Sequence, residues 1–467
     1  MKTAWDKYLE NKNNDTDINP ASIETVMNFS EGYKDYLGSS KTEREAASEA
    51  IKLAKKVGFK DFKNVKSVKT GDKIYFNNRG KSVAFFVIGK TPIENGLNIL
   101  GAHIDSPRCD IKQRPLYEDN GLVLLDTHYY GGIKKYQWVV QPMALHGVVC
   151  KKNGETVEIA IGEKDSDPVI EFSDLLIHLA GDQMQKSGSK VVEGEDLNAL
   201  CGSIPKVSKK KDETDLVKAN ILDILKKEYG IEEDDFISAE LEIVPAGKPR
   251  DLGLDRSMIM GYGHDDRICA YTSLKAILDI ATPNRTAACI LTDKEEIGSV
   301  GNTGAHSVFF ENCVAELINL QTKYDGLKVR HAMENSMMLS SDVSAAFDPN
   351  YPGVNEMKNT AFFGKGICFN KYTGSRGKSG SNDAHAEFIA KVRKVMDDNK
   401  IVFQTSELGR VDQGGGGTIA YILANANMDV IDAGIAVQNM HSCWETASKV
   451  DIYEAYLAYK AFLKDIK

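Results

Sequence analysis

Long apolar runs, paired cysteines and blocks of positive charge are all missing from this sequence, and each absence removes a class of function. No uninterrupted apolar stretch approaches the ~20 residues that span a bilayer. The first residues, Met-Lys-Thr-Ala-Trp-Asp-Lys-Tyr-Leu-Glu, hold no apolar segment of the kind that marks an export signal. A soluble cytoplasmic protein is therefore expected, with no membrane partner. The eight cysteines (109, 150, 201, 269, 289, 313, 368 and 443) are scattered without Cys-x-x-Cys spacing, several of them in apolar runs, and read as reduced core residues. No basic block is longer than Lys209-Lys-Lys211 in a chain of net charge −9, which argues against nucleic acid as a partner. Internal repeats are not evident, and the only low-complexity run is Gly414-Gly-Gly-Gly417.

What is present suits a large α/β protein. At 467 residues, 42% of them hydrophobic, the chain exceeds one ordinary domain and can bury a sizeable core. Amphipathic helices are expected over residues 21–37 and 42–57, the second opening on a Thr42-x-x-Glu45 capping box. Strands are expected over 83–88 and 97–102. From about 108 to 245 the pattern changes to extended segments such as Gly121-Leu-Val-Leu-Leu125, Tyr136-Gln-Trp-Val-Val140 and Gly147-Val-Val-Cys150. This stretch is interrupted by the charged run Ser208-Lys-Lys-Lys-Asp-Glu-Thr214, which reads as a solvated loop. Beyond 245 a helix is expected over 265–280, a strand over 286–292, helices over 382–398 and 417–425, and strands near 401–405 and 432–437. That alternation indicates an α/β fold. The four glycines at 414–417 read as a tight loop at a helix start or as an anion cradle.

Five clusters of acids and histidines fall at the ends of these elements. Glu295-Glu296 follows the apolar strand that ends in Thr292, and His103-Ile-Asp105 follows Gly96-Leu-Asn-Ile-Leu-Gly-Ala102. Gly263-His-Asp-Asp-Arg267 opens a helix, Asp342 follows Ser340-Ser341, and Asn439-Met-His441 with Glu445 follows a further strand. In open α/β sheets ligands bind beyond the carboxyl ends of strands, where adjacent acids can divide metal ligation from proton transfer. An His-x-Asp in extended chain places both side chains on one face, so the carboxylate can orient the imidazole. Each cluster alone has a plainer reading, such as a helix N-cap at Asp265-Asp266, a turn at Asp342 or a solvated turn at Glu295-Glu296. Spacing does not show that they converge.

Taken in order, the tokens Gly101-Ala-His-Ile-Asp-Ser-Pro107, Asp293-Lys-Glu-Glu-Ile-Gly-Ser299, Ser341-Asp342 with Asp348-Pro-Asn-Tyr351, and Met440-His441 with Glu445-Thr446 resemble the aspartyl and vacuolar aminopeptidase family of dinuclear zinc exopeptidases. The resemblance runs from about residue 20 to the C-terminus. It implies a mixed-sheet α/β/α catalytic domain, residues 1–107 and 246–467, split by an inserted β-rich dimerisation domain at 108–245. By the same resemblance Asp265 bridges two metal ions, His103 and Asp342 complete one, and Glu296 and His441 complete the other. Glu295 is then the general base and Asp105 orients His103. The family wording Leu-Asp-Asn differs from His264-Asp265-Asp266 here, and Asp265 aligns with the bridge. His178, within Ser173-Asp-Leu-Leu-Ile-His-Leu179, matches a histidine that reaches a neighbouring subunit's site; its plainer reading is a polar residue on an apolar helix. Family members form dimers built into a dodecamer.

Two histidines and three carboxylates suit zinc, with cobalt or manganese as alternatives. The expected activity is removal of N-terminal residues from peptides with a free amine. Lys378, with Lys371 and Arg376, could form a cationic pocket for acidic side chains. This segment and Arg410-Val-Asp-Gln-Gly-Gly-Gly-Gly417 depart from the usual family wording, Arg-Tyr-Ala-Thr-Asn and Cys-Gly-Thr-Thr, so acidic and leucine-type preferences both stay open. Two other classes are weighed beside this one: a metal-dependent amidohydrolase of N-acyl amino acids, and a catalytically silent assembly protein.

Overall fold

The strand expected at 97–102 forms as Leu97–His103, and the residues along it alternate between two cores. Leu100 and Ala102 pack with one apolar cluster, Leu97 and Ile99 with another. The same two-residue alternation holds in Ser82–Val87 and Thr286–Thr292, as strand geometry requires when both faces of a sheet are covered. Helices Ile23–Gly38, Glu43–Lys56, His264–Leu278, Ala386–Asp398 and Lys449–Asp465 contribute to the first core. Phe309–Gln321, Gly326–Glu334 and Ala420–Ala424 contribute to the second. The result is an α/β/α sandwich.

These elements come from a computed structural model that describes residues 3–9, 22–207 and 214–467. Residue 21 of the first expected helix and residues 208–213 of the charged run lie outside the described residues. The chain divides into two units. One comprises Met1–Asp105, Pro249–Met440 and Glu445–Lys467, the other Ser106–Lys248 and His441–Trp444.

The first unit carries a nine-stranded sheet in the order Lys60–Asp61, Lys73–Asn78, Ser82–Val87, Thr286–Thr292, Leu97–His103, Met337–Ser340, Asp429–Gly434, Ile367–Asn370 and Phe403–Thr405. Its four central strands, from Thr286–Thr292 to Asp429–Gly434, run parallel, so Thr292, His103 and Ser340 leave the sheet on the same edge. Gly101 leaves room for the end of the Met338 side chain, whose Cε would lie 2.2 Å from a Cβ there and would have to move aside. A separate five-stranded sheet pairs Met258–Gly261 with Glu445–Ser448 and sets Gly261 opposite Glu445. The Thr42 capping box forms as expected, with the hydroxyl accepting from Glu45 N and the Glu45 carboxylate accepting from Thr42 N.

The second unit is a seven-stranded antiparallel sheet running from Thr156–Ile161 through Met143–Cys150, Ala239–Pro245, Arg108–Asp119, Leu122–Tyr130 and Ala199–Gly202 to Glu171–Phe172. Its core holds Val149, Ile159, Ile231, Phe236 and Leu241.

Three expectations are corrected. Residues 136–140 are not extended: Lys135–Gln137 is a short 3-10 helix, which carries Trp138 into complete burial with its indole N–H donating to the His441 carbonyl. Residues 173–179 are loop and turn rather than helix, with Leu175, Leu176, Ile177 and Leu179 between 54% and 69% exposed, and an apolar segment left uncovered gains nothing from helical periodicity. Gly415–Gly416 is a strand pair with Gly374–Ser375, so the four glycines do not lead straight into a helix. None of the eight cysteines forms a disulfide, and six are buried; Cys150, at a strand end, is exposed and Cys201 is intermediate.

Candidate metal centre

The loops leaving the parallel strands gather a histidine and several acids in the first unit. His103 is the last residue of its strand and is fully buried, with its Nε2 3.2 Å from Asp265 Oδ1 and 3.9 Å from both Glu295 Oε2 and Asp342 Oδ1. Ligand atoms of His103, Asp265 and Asp342 all lie within 4.8 Å of one another. The carboxylates of Asp265 and Glu296 also bring oxygens within 4.8 Å, so Asp265 stands between two potential ligand sets.

Neighbouring chain fixes the positions of these residues, mostly through their main chain. The His103 Nδ1–H donates to the Asp105 carbonyl at 3.0 Å and lies 3.2 Å from its carboxylate, which leaves Nε2 as the nitrogen facing the other acids. The Asp105 carboxylate is buried and also accepts from Glu295 N at 3.1 Å and Glu296 N at 3.2 Å. This fixes the short 3-10 helix Glu295–Ile297, which is entered through Lys294 at φ 70° and left through Gly298 at φ 95°. Asp265 and Asp266 sit at the start of helix His264–Leu278 with non-helical backbone angles. Asp342 lies against Gly434, where a Cβ would fall 1.5 Å from the Asp342 carbonyl.

The electrostatics identify what is needed between these groups. Burial, only partly offset by His103 and reinforced by Asp266, Glu295 and Asp265, pushes the Asp342 carboxyl well above the usual range. Burial also raises Asp266 well above it. Burial alone would depress His103, but hydrogen bonds to Asp105 and Asp265 outweigh it and hold the imidazole well above its usual value. Acids packed this closely out of water repel one another unless a cation lies among them. A divalent ion with a taste for nitrogen and oxygen fits both the charge and the donor types.

The family profile described as Aminopeptidase I zinc metalloprotease (M18) matches residues 36–463. The chain belongs to the M18 aminopeptidases. It is 56% identical to a probable M18 family aminopeptidase 1 of Clostridium acetobutylicum, over 99% of this chain and 98% of that protein. The crystal structure of an M18 aminopeptidase from Thermotoga maritima shares 42% identity and superposes with a TM-score of 0.92 over 99% of each chain. The S. cerevisiae mApe1 dodecamer, at 21% identity and TM-score 0.73 over 93% of this chain and 96% of that one, shares the fold. The expected fold class and aminopeptidase activity therefore hold, and this M18 aminopeptidase is a zinc-metalloprotease-type hydrolase.

The remaining site residues lie as follows. His441 groups with the second unit, where its Nδ1–H donates to the Gly132 carbonyl at 2.7 Å. His178 is exposed on the turn at 177–179. Lys378 lies 3.8 Å above the Tyr372 ring and 3.3 Å from Asp383, which also pairs with Lys371. Two buried acids beside the centre, Asp266 and Glu445, were given no role by the sequence, although both stand in the clusters that hold Asp265 and His441.

Proposed function

We propose that this M18 aminopeptidase removes N-terminal residues by a two-metal, water-mediated reaction in which Glu295 is the general base. The observation that carries the reading is the convergence of Asp265, Glu295 and Asp342 on His103 Nε2 at one edge of the parallel strands. His103, Asp265 and Asp342 would hold one divalent ion, and Asp265, Glu296 and His441 the other, with zinc favoured over cobalt or manganese. In His441, as in His103, the Nδ1–H is committed to a carbonyl, so the lone pair resides on Nε2. When bound, such ions polarise the scissile carbonyl and make a water molecule more acidic.

Glu295 supplies the proton traffic. Its main chain is anchored on Asp105 while its half-buried carboxylate points to the ligand cluster, so it can take the proton of the attacking water and pass it to the leaving amine. Asp105 keeps His103 in one tautomer. A free substrate ammonium is attracted to the surplus of carboxylates, which sets the register of the bond to be cut.

Assembly and specificity complete the proposal. The exposed apolar run at 175–179 supports a homo-oligomer, proposed as dimers built into a dodecamer like that of the yeast protein, with the second unit as dimer contact and His178 reaching the neighbouring subunit. Lys378 is proposed to contact the substrate side chain. Eight cysteines without a disulfide support a cytoplasmic setting.

The test is a screen of purified protein, supplied with zinc, cobalt or manganese, against aminoacyl chromogenic substrates in free and N-acetylated form. Turnover of the free amines alone is expected, and the panel separates acidic from leucine-type preference. Equal turnover of the acetylated compounds would sink the exopeptidase mechanism.

A further inference from the structure

The first residues of helix His264–Leu278 depart from helical geometry at Asp265 (φ −78°, ψ 108°) and Asp266 (φ −116°, ψ 30°), although an acid at a helix start is ordinarily stable in regular backbone. Two contacts accompany the departure. The Asp265 main-chain N–H, instead of facing the helix entrance, donates to Glu445 Oε2 at 3.0 Å. The next side chain, Asp266, swings to the neighbouring strand, where its Oδ2 accepts from the His103 main-chain N–H at 3.3 Å. Both acids are inside the protein, Asp266 at 0% and Glu445 at 1% exposure.

We infer that Asp266 and Glu445 are positioning residues that clamp Asp265 from its two sides and thereby set its carboxylate between the two ligand sets. The inference rests on the two-metal reading above. Glu445 reaches Asp265 because Glu445–Ser448 pairs with Met258–Gly261, the strand just before the helix. Asp266 ties the same turn to the end of the strand that carries His103, so the two ligands His103 and Asp265 are fixed to each other through one hydrogen bond. Each acid accepts from a main-chain amide inside the protein, and the two contacts reach the Asp265 turn from different elements. Retaining two such groups around a single residue makes sense where the position of that residue matters to within a fraction of an ångström.

The role asked of each acid is acceptance of one main-chain hydrogen bond, which an amide can also perform. The experiment therefore compares Asp266→Ala with Asp266→Asn, and Glu445→Ala with Glu445→Gln. Zinc is the probe. Its affinity and stoichiometry are measured by competition with a chromophoric chelator, and the thermal midpoint of the metal-free protein is measured separately.

The alanine variants should lose roughly 10–100-fold in zinc affinity, the range for groups that orient ligands without binding the metal, while the amide variants recover most of it. If alanine at 266 prevents folding, Asp266→Ser, too short to reach His103 N, is measured instead. A merely structural role would lower the metal-free midpoint of the alanine variants and leave zinc affinity at the wild-type value, which overturns the inference. Amide variants as weak as alanine overturn it too, since charge and not hydrogen bonding would then be at work. A wild-type protein that holds fewer than two zinc ions overturns the two-metal reading together with the clamp. Two ions in the wild type with unchanged affinity in the variants overturns the clamp alone.

Discussion

Replacing Asp105 by Asn should separate the two ligand sets, and the geometry gives the size of the effect. The carboxylate serves three donors: Oδ1 faces Glu295 N at 3.1 Å and His103 Nδ1 at 3.2 Å, and Oδ2 faces Glu296 N at 3.2 Å. An amide has one acceptor oxygen. Placed at the Oδ1 position, it leaves Glu296 N opposite an NH2 group; placed at the Oδ2 position, it abandons the other two donors. At least one hydrogen bond to a charged acceptor is lost, worth about 1.5–3 kcal/mol, or roughly 10–150-fold in an equilibrium constant. His103 keeps its second anchor, the Asp105 carbonyl at 3.0 Å. The loss should therefore fall on the Glu295–Glu296 turn, which Lys294 and Gly298 hold in left-handed backbone on either side. Stepwise zinc release into a chromophoric chelator should show one ion weakened by that factor and the other nearly unchanged, with kcat falling as Glu295 loses its anchor. Two ions weakened equally, or two ions and kcat within twofold of wild type, would refute the reasoning.

Three further outcomes are expected. Glu295→Gln should retain metal yet lose roughly 10²–10⁴-fold in kcat, while Glu296→Gln should release metal more readily; metal analysis and steady-state kinetics that fail to distinguish the two variants would refute the division. Gly434→Ala forces a methyl group to 1.5 Å from the Asp342 carbonyl, so the backbone must move, with a destabilisation of about 1–3 kcal/mol or more and weaker metal binding; an unchanged melting temperature would show that the strand end yields freely. Burial, opposed by the Thr418 and Ser340 hydroxyls, pushes the Asp432 carboxyl up to about 7. An acid raised in the folded state contributes stability that is complete below its unfolded value near ~3.9 and is lost as pH rises through 7. Asp432→Asn should flatten thermal stability between those limits, and parallel pH profiles for the two proteins would contradict it.

The parts of the centre that were legible in the sequence are those where chemistry coincides with an element boundary. His103 and Glu295-Glu296 follow apolar runs whose ends are visible in the pattern, and Thr42 and Glu45 announce their helix because a capping box is local. What escaped depends on distant chain. Gly415 finds its strand partner at Ser375, which no window around four glycines can show. Residues 136–140 have strand-like composition, yet burial of Trp138 and its hydrogen bond to the His441 carbonyl, 303 residues away, override that preference. The same limit hid the work of Asp266 and Glu445: a carboxylate that accepts from a main-chain amide on another element looks, in sequence, like any other acid.

The interruption of the first unit between Asp105 and Pro249 bears on how the centre is assembled in time. Strand Leu97–His103 is synthesised early, but its neighbours in the sheet, Thr286–Thr292 and Met337–Ser340, emerge only after the whole of residues 106–248. Leu97 N reaches its Ser336 partner across 239 residues of chain. In stability the detour is cheap, since each doubling of a closed loop costs only about 0.6 kcal/mol, but pairing so remote in sequence is slow and late. His103 therefore waits, without Asp265 or Asp342, through much of translation. With the ligands proposed above, a growing chain holds no complete set before the sheet closes, so peptide hydrolysis is expected only of the finished fold.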